Sequence, residues 1–505
     1  MNGANAPIKF GTDGWRAIIA GEFTFANVER VAQAYTDYLT SSKESSLLKQ
    51  LVDVGQVSKE EAEDPLFANV VRKAVTSASG LVIVGFDRRF LSEHFARRAA
   101  EVIVANGFRI ALFQEAVPTP LVSWAVKDLG AGGGVVITAS HNPPEFNGFK
   151  IKASWGGSAA PETTSVVEKL VDVNPPKRSE IKTDGHELLE PAIQSYRKQV
   201  SSYVDLDRLR GSSGLVVVDP MHGSGGHWLE SFLAGGKLEV ETIRGERDPL
   251  FGGVNPEPID RNLGLLKQRV IETKARVGLA TDGDADRVGA VSERGETMTM
   301  HDVVPLVLLH LARNRKMTGG VVRTFSQSVL LERIAAAHKL KLHETPIGFK
   351  YIAELMLKED ILIGAEESGG IGVKGHIPER DGILNSLLFL EAIVTANKPP
   401  SEMLRELHRE FGEFHFGRRD LAIEIERGME LVKTIASQPP AEFAGYQVAS
   451  VETLDGTKLV FEDESWVLFR QSGTEPVLRI YSEATTVEKV EMLLDSAENC
   501  ARSNQ

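Results

Sequence analysis

Cysteine is almost absent from this 505-residue chain. Cys500 is the only one, so no intrachain disulfide and no multi-cysteine metal site can form. A reducing compartment is the simplest expectation. No stretch approaches the ~18–20 apolar residues of a membrane span, and Met1–Phe10 lacks the basic region and apolar run of a secretory leader. A cytoplasmic location is expected. Positive charge is in deficit too, with 57 Lys and Arg against 70 Asp and Glu and a net charge of −13. The surplus of cations that meets nucleic acid or an anionic membrane is therefore missing, and neither is an expected partner. Small anions are not excluded, because the field inside a cleft is set by its own walls.

The apolar and charged fractions, 42% and 25%, are those of an ordinary globular protein. The length calls for three to four domains of roughly 100–150 residues each. Short apolar runs, each closed by Gly, Asp or Pro and followed by helical periodicity, predict α/β units with mostly parallel sheets. Strands are predicted at Leu81–Phe86, Val135–Thr138, Leu215–Asp219, Val277–Thr281, Val321–Thr324 and Ile361–Ala365, and helices at Phe25–Leu39, Glu93–Asn106, Val303–Arg313 and Asn385–Ala396. Ser41–Ser79 breaks this rhythm with Ser-rich and acidic stretches and is read as a mobile or helical excursion. Breaks near Asn174–Glu187, Glu296–Asp302 and Lys398-Pro399-Pro400 divide the chain into 1–190, 191–299, 300–400 and 401–505. The last block reads as a small α+β domain, with strands at Trp466–Phe469 and Val477–Tyr481 before a helix at Val487–Ala501.

Chemistry concentrates in loops after strands, where parallel α/β sheets bind their ligands. The strand ending at Thr138 empties into Ala139-Ser140-His141-Asn142-Pro143-Pro144, and Asn147-Gly148-Phe149-Lys150 returns an amine to the same neighbourhood. Taken alone, a Ser-Asn-Pro turn that caps a helix accounts for it better. A hydrolase elbow does not, since Thr138 and Asn142 stand where Gly-x-Ser-x-Gly needs glycine. Thr281-Asp282-Gly283-Asp284-Ala285-Asp286-Arg287 sets three carboxylates at alternate positions, which repel unless a cation lies between them. A calcium EF-hand fails, because Arg287 stands where that loop needs Gly. Mg²⁺ that borrows further ligands from phosphate and water fits better.

Gly364-Ala365-Glu366-Glu367-Ser368-Gly369-Gly370 suits hydrogen bonding to vicinal sugar hydroxyls, although an exposed acidic turn is an equally good account of it. Arg470-Gln471-Ser472-Gly473-Thr474-Glu475-Pro476 combines Arg, hydroxyls and backbone N–H groups into an anion cradle, with Arg479 nearby. A hairpin loop with a surface Arg is the plainer alternative. Lesser features are Gly11–Arg16 and Gly85–Arg89, each placing Arg beside a glycine turn.

Together these four loops resemble the α-D-phosphohexomutases, and in the family's order. Thr-Ala-Ser-His-Asn-Pro at 138–143 looks like the phosphoserine loop, Asp-Gly-Asp-Ala-Asp-Arg at 282–287 the magnesium loop, Glu-Glu-Ser-Gly-Gly at 366–370 the sugar loop, and Arg-Gln-Ser-Gly-Thr-Glu-Pro at 470–476 the distal-phosphate loop. The resemblance implies three related α/β domains with mixed, mostly parallel sheets, plus a smaller C-terminal α+β domain, around a central cleft. The 41–79 excursion is longer than the family leads one to expect.

The same resemblance implies the roles. Ser140 would carry the phosphoryl group, and Mg²⁺ would be held by Asp282, Asp284, Asp286 and phosphorylated Ser140. His141 and Lys150 would transfer protons or stabilise charge, supported by Arg16 and Arg287. Glu366 and Ser368 would read the sugar, with His376 and Arg380 as further contacts. Arg470, Ser472, Gly473 and Thr474, with Arg479 nearby, would grip the phosphate that is not reacting. The expected reaction interconverts glucose 1-phosphate and glucose 6-phosphate, with glucose 1,6-bisphosphate as intermediate and priming activator. Glu367 favours phosphoglucomutase over phosphoglucosamine mutase, which tends to have Gln there; phosphomannomutase or dual specificity is the alternative. Outside the family lie a metal-dependent phosphatase and a sugar-phosphate sensor. The partners expected are small sugar phosphates, bound by a monomer or dimer.

Overall fold

The computed structural model describes residues 7–11, 14–53, 58, 63, 80–472 and 476–503. Its sheets are built on one repeated plan. In the first, β1 (Trp15–Ile18) is an edge strand; β2 (Leu81–Phe86), β3 (Arg109–Leu112) and β4 (Gly133–Ile137) run parallel in the order β3-β2-β4; and β5 (Phe146–Lys152) returns antiparallel between β4 and β1. In the second, β6 (Gly214–Asp219), β7 (Leu238–Thr242) and β8 (Val277–Thr281) repeat the parallel order, β9 (Val288–Ser292) returns antiparallel, and β10 (Thr297–Met298) forms the edge. The third has β11 (Gly320–Thr324), β12 (Leu342–Thr345) and β13 (Ile361–Ala365), with β14 (Ile371–Val373) returning. Parallel pairing is thus confined to three strands per sheet, and a return strand makes each sheet mixed.

The fourth sheet is wholly antiparallel. It contains β15 (His415–Ala422), β16 (Glu442–Phe443), β17 (Tyr446–Glu452), β18 (Thr457–Phe461), β19 (Trp466–Gln471) and β20 (Val477–Ala484), in the order β15-β20-β19-β18-β17-β16. Helices Ile425–Ser437 and Val487–Ser503 pack against it. The architecture is α/β with a smaller C-terminal domain.

The parallel strands are continuous apolar runs because helices cover both faces. In β2, Leu81 and Ile83 point into a core shared with Leu121 and Val136, whereas Val82 and Val84 point into one with Phe95 and Ile103. Helix Gly382–Ala396 is apolar nearly all round and correspondingly buried. Predicted bounds shift by a few residues in several elements and by far more in one. The helix predicted over Phe25–Leu39 continues to Asp53, so the first third of the Ser41–Ser79 excursion is helical, while 54–79, apart from Ser58 and Glu63, lies outside the described residues. Asn147–Lys150, which returns an amine toward the Ser140 loop, is the body of β5. Among the described residues no helix is long and apolar enough to cross a membrane.

Candidate active site

The repeated plan has a chemical consequence. The loop joining the third parallel strand to the return strand holds Ser140 in the first unit, Asp282–Arg287 in the second and Glu366–Gly370 in the third. Each of these loops contains a left-handed residue: Ser140 (φ 53°), Ala285 (φ 59°) and Gly369 (φ 96°). For a serine this conformation costs about 1–2 kcal/mol, and the surroundings hold it there. Ser140 donates its N–H to Thr138 Oγ1 at 2.8 Å, and its carbonyl accepts from the Arg89 guanidinium at 2.7 Å.

Support comes from the loop after each first strand. After β2, Asp87 accepts from Thr138 Oγ1 at 2.6 Å and from Ser92 Oγ at 2.8 Å, and it pairs with Arg89. Arg89, fully buried, donates to the carbonyls of Ser140, Asn142, Pro143 and Phe146. After β6, Ser224 N–H donates to the Gly283 carbonyl at 2.9 Å. After β11, Ser326 Oγ donates to Glu367 at 2.7 Å.

Ser140 Oγ is buried and donates to Asp282 Oδ2 at 2.7 Å. His141 Nδ1 lies 3.5 Å from the same hydroxyl oxygen. Arg16, on β1, donates to Asn142 Oδ1 at 2.7 Å. Lys150 points its ammonium at Asp284 Oδ2 (2.8 Å) and Asp286 Oδ2 (3.1 Å). Thr119 Oγ1 donates to Asp284 Oδ2 at 2.7 Å, and the Arg287 Nε lies 4.0 Å from Asp286.

Asp282, Asp284 and Asp286 are wholly buried, with an oxygen of each within 4.8 Å of the others. Burial, then the charges of Asp284 and Asp286, push the Asp282 carboxyl well above the usual range. Burial also pushes on Asp284, but the Lys150 ammonium, the Thr119 hydroxyl and Arg380 outweigh it and leave that carboxyl low. Asp284 Oδ1 and Asp286 Oδ1 are buried without a hydrogen-bond partner. Crowded carboxylates with orphaned oxygens fit a hard divalent cation. Burial and the cations Arg287, Arg16, Lys150 and Arg89 hold the His141 imidazole neutral, far below its ordinary range.

The third loop joins this group through Arg380, whose guanidinium lies 2.9 Å from Asp286 and 3.7 Å from Glu366. Glu366 is buried, which pushes its carboxyl up to about 7 despite Arg380. Ser368 is half-buried in the same loop. His376 is not brought here. Its ring stacks on Trp124 at 5.5 Å and its Nε2 meets Asp381, which also accepts from Tyr196 and caps helix Gly382–Ala396. Its other ring nitrogen, Nδ1, is buried without a hydrogen-bond partner.

In the fourth unit Arg470 and Arg479 face each other across β19 and β20, and Arg470 donates to Asp455 at 3.0 Å. Asp455 also accepts the Ile347 N–H at 2.8 Å, tying the loop after β12 to this sheet. Ser472 is buried; Gly473 and Thr474 lie outside the described residues. The charge of Glu367 acts on Arg418, Arg470 and Tyr481, so Glu367 faces the fourth unit. Thr119, Ser326 and Asp455 also support these loops, although no sequence motif singles them out. Each is an ordinary polar residue whose partner lies far along the chain.

Four family profiles match the chain in order. They are phosphoglucomutase/phosphomannomutase alpha/beta/alpha domain I over residues 59–177, domain II over 194–295, domain III over 301–411 and the C-terminal domain over 431–499. A phosphoglucomutase/phosphomannomutase of Thermococcus kodakarensis is 32% identical over 415 residues, 82% of this chain and 88% of that protein. A protein of Methanothermobacter thermautotrophicus, provisionally named phosphoglucosamine mutase, is 30% identical over 83% of this chain and 90% of its own. The crystal structure of a protein of Thermus thermophilus, provisionally named a phosphomannomutase, superposes with a TM-score of 0.80 at 36% identity, covering 98% of this chain and 99% of that one. Agreement across all four units, with relatives matched over most of their length, makes this chain a phosphohexomutase of the α-D-phosphohexomutase family.

Proposed function

We propose that the enzyme interconverts glucose 1-phosphate and glucose 6-phosphate, carrying a phosphoryl group on Ser140 and passing through glucose 1,6-bisphosphate. The observation that carries this reading is the buried Ser140 hydroxyl 2.7 Å from Asp282, at the edge of three crowded carboxylates. Asp282, Asp284 and Asp286, with the phosphorylated Ser140, would hold Mg²⁺, which draws charge off a phosphoryl group.

The chain's own groups supply the rest. His141 and Lys150 flank the Ser140 hydroxyl and the carboxylates, where they transfer a proton or offset developing charge. Arg16 and Arg287 add positive potential that is felt at His141. Glu366 and Ser368 read the sugar hydroxyls, and Arg380 spans from Glu366 to the carboxylates. Arg470, Ser472, Gly473 and Thr474, with Arg479 across the strand pair from Arg470, grip the phosphate that is not reacting and so position the other end of the sugar. The bisphosphosugar turns over between two transfers to return its second phosphate to Ser140.

Glucose is chosen on Glu367, the residue between Glu366 and Ser368. Mannose phosphates are the second reading, favoured by the name of the 36% identical protein. A coupled assay over glucose, mannose and glucosamine 1-phosphates tests the choice. Glucose 1-phosphate should give the highest kcat/KM; a mannose preference replaces it, and a glucosamine preference overturns both.

A further inference from the structure

Strand β5 carries two buried lysines, Lys150 and Lys152, on one face because residues two apart in a strand point the same way. The first reaches the carboxylates of the second unit. The second reaches the third unit: Lys152 Nζ lies 2.7 Å from Glu379 Oε2, and both side chains are fully buried.

Two buried ions gain on balance only when their remaining hydrogen-bonding capacity is also used, and here both carboxylate oxygens and two of the three ammonium protons have partners. Ser158 Oγ donates to Glu379 Oε2 at 2.9 Å and lies 3.4 Å from Lys152 Nζ. The other carboxylate oxygen, Oε1, accepts the backbone N–H of Arg380 at 3.0 Å and lies 3.6 Å from Arg380 Nε. Glu379 therefore holds the Arg380 main chain by a hydrogen bond and sets a negative charge beside its guanidinium. Arg380 lies close over the sugar loop, since a Cβ on Gly370 would come within 2.5 Å of Arg380 Cδ and 2.8 Å of Glu366 Oε2.

We propose that Lys152 and Glu379 are a positioning pair, in which the Lys152 ammonium neutralises Glu379 so that Arg380 is left to serve Asp286 and Glu366. The proposal rests on the reading of this cleft as the mutase site. The direction of the effect follows from charge. Without the ammonium, Glu379 is a buried carboxylate with the Arg380 Nε 3.6 Å away, and the guanidinium is drawn toward it and away from the carboxylates it bridges. No atom of Lys152 or Glu379 need touch the sugar for this to matter.

The test is steady-state mutase kinetics on K152M, E379Q, R380A, K152M/R380A and K152M/E379M, together with melting temperature and the phosphate content of Ser140 by intact mass. K152M should lose 10- to 100-fold in kcat/KM while its Ser140 still accepts phosphate, and K152M/R380A should be no worse than R380A. K152M/E379M removes both charges, so with no carboxylate left to draw Arg380 away it should recover the melting temperature and part of the kcat/KM that K152M loses. Should K152M fail to fold, E379Q and the double methionine variant carry the same comparison. A kcat/KM in K152M/E379M no higher than in K152M, or additive losses in K152M/R380A, overturns the pair alone. An inactive wild-type enzyme whose Ser140 never takes phosphate overturns the reading of the site and the pair with it.

Discussion

Ser140 and Asp282 meet through a hydrogen bond of 2.7 Å although 142 positions separate them in the chain. The contact needs a bare backbone beside it: a Cβ on Gly283 would lie 2.4 Å from the Ser140 carbonyl oxygen. G283A should therefore push the two loops apart, costing about 1–3 kcal/mol of stability as an overpacked site. A displacement near 1 Å costs on the order of 10²-fold in turnover. Urea denaturation and steady-state kinetics check the two effects.

Removing the metal should act on stability as well as rate. At a free Mg²⁺ concentration of a hundred times Kd, binding to the folded state contributes about 2.7 kcal/mol. Chelation should abolish turnover and lower the melting temperature, and added Mg²⁺ should restore both. In D284N/D286N the melting temperature should no longer respond to Mg²⁺. Differential scanning calorimetry with and without chelator reads this directly.

Arg89 is expected to matter as much as the residues that do chemistry. It pairs with buried Asp87 and holds four carbonyls of the phosphoserine loop. R89M leaves the Asp87 charge buried and uncompensated, which costs about 3–5 kcal/mol. Arg97, by contrast, is exposed and lies 3.9 Å from Glu101, so denaturant unfolding of R89M beside R97M should separate a large loss from almost none.

Glu366 sets a pH dependence of known sign. Its carboxyl titrates at about 7 in the fold, against an ordinary 4.5. Between those values the folded protein holds a proton that the unfolded chain has released. Stability therefore declines as pH rises through that window. The carboxylate that accepts sugar hydroxyls forms above it, so kcat/KM should rise through about pH 7. E366Q should flatten both trends and cost roughly 10- to 100-fold in kcat/KM, the range for a hydrogen bond to a charged group. Melting curves and rate profiles from pH 4.5 to 8.5 check it, read as wild type against E366Q because the substrate phosphate titrates near pH 6.

What could be read from the sequence was decided by how locally each feature is encoded. Leu81–Phe86 and Val277–Thr281 announce themselves because both faces are covered and the run stops at a polar loop. The return strand β5 does not, since Phe-Asn-Gly-Phe-Lys-Ile-Lys interrupts its apolar residues with Asn, Gly and two Lys. Its lysines are buried only because Asp284, Asp286 and Glu379 receive them from other units. The three aspartates were legible because alternate carboxylates in one loop make little sense without a cation. Thr119 and Ser326 were invisible, being hydroxyls whose partners Asp284 and Glu367 are supplied by tertiary structure. His376 shows the converse, a residue next to Arg380 in sequence whose ring belongs to the packing around Trp124.

The phosphoryl group on Ser140 is the centre of the account. Intact-mass and peptide-level mass spectrometry of wild type and S140A, each incubated with glucose 1,6-bisphosphate and Mg²⁺, tests it most directly. One phosphate should map to Ser140 in the wild type and be absent from S140A, with mutase turnover in S140A down by on the order of 10³-fold or more. Full turnover by S140A, or a phosphate that maps elsewhere, would contradict the account.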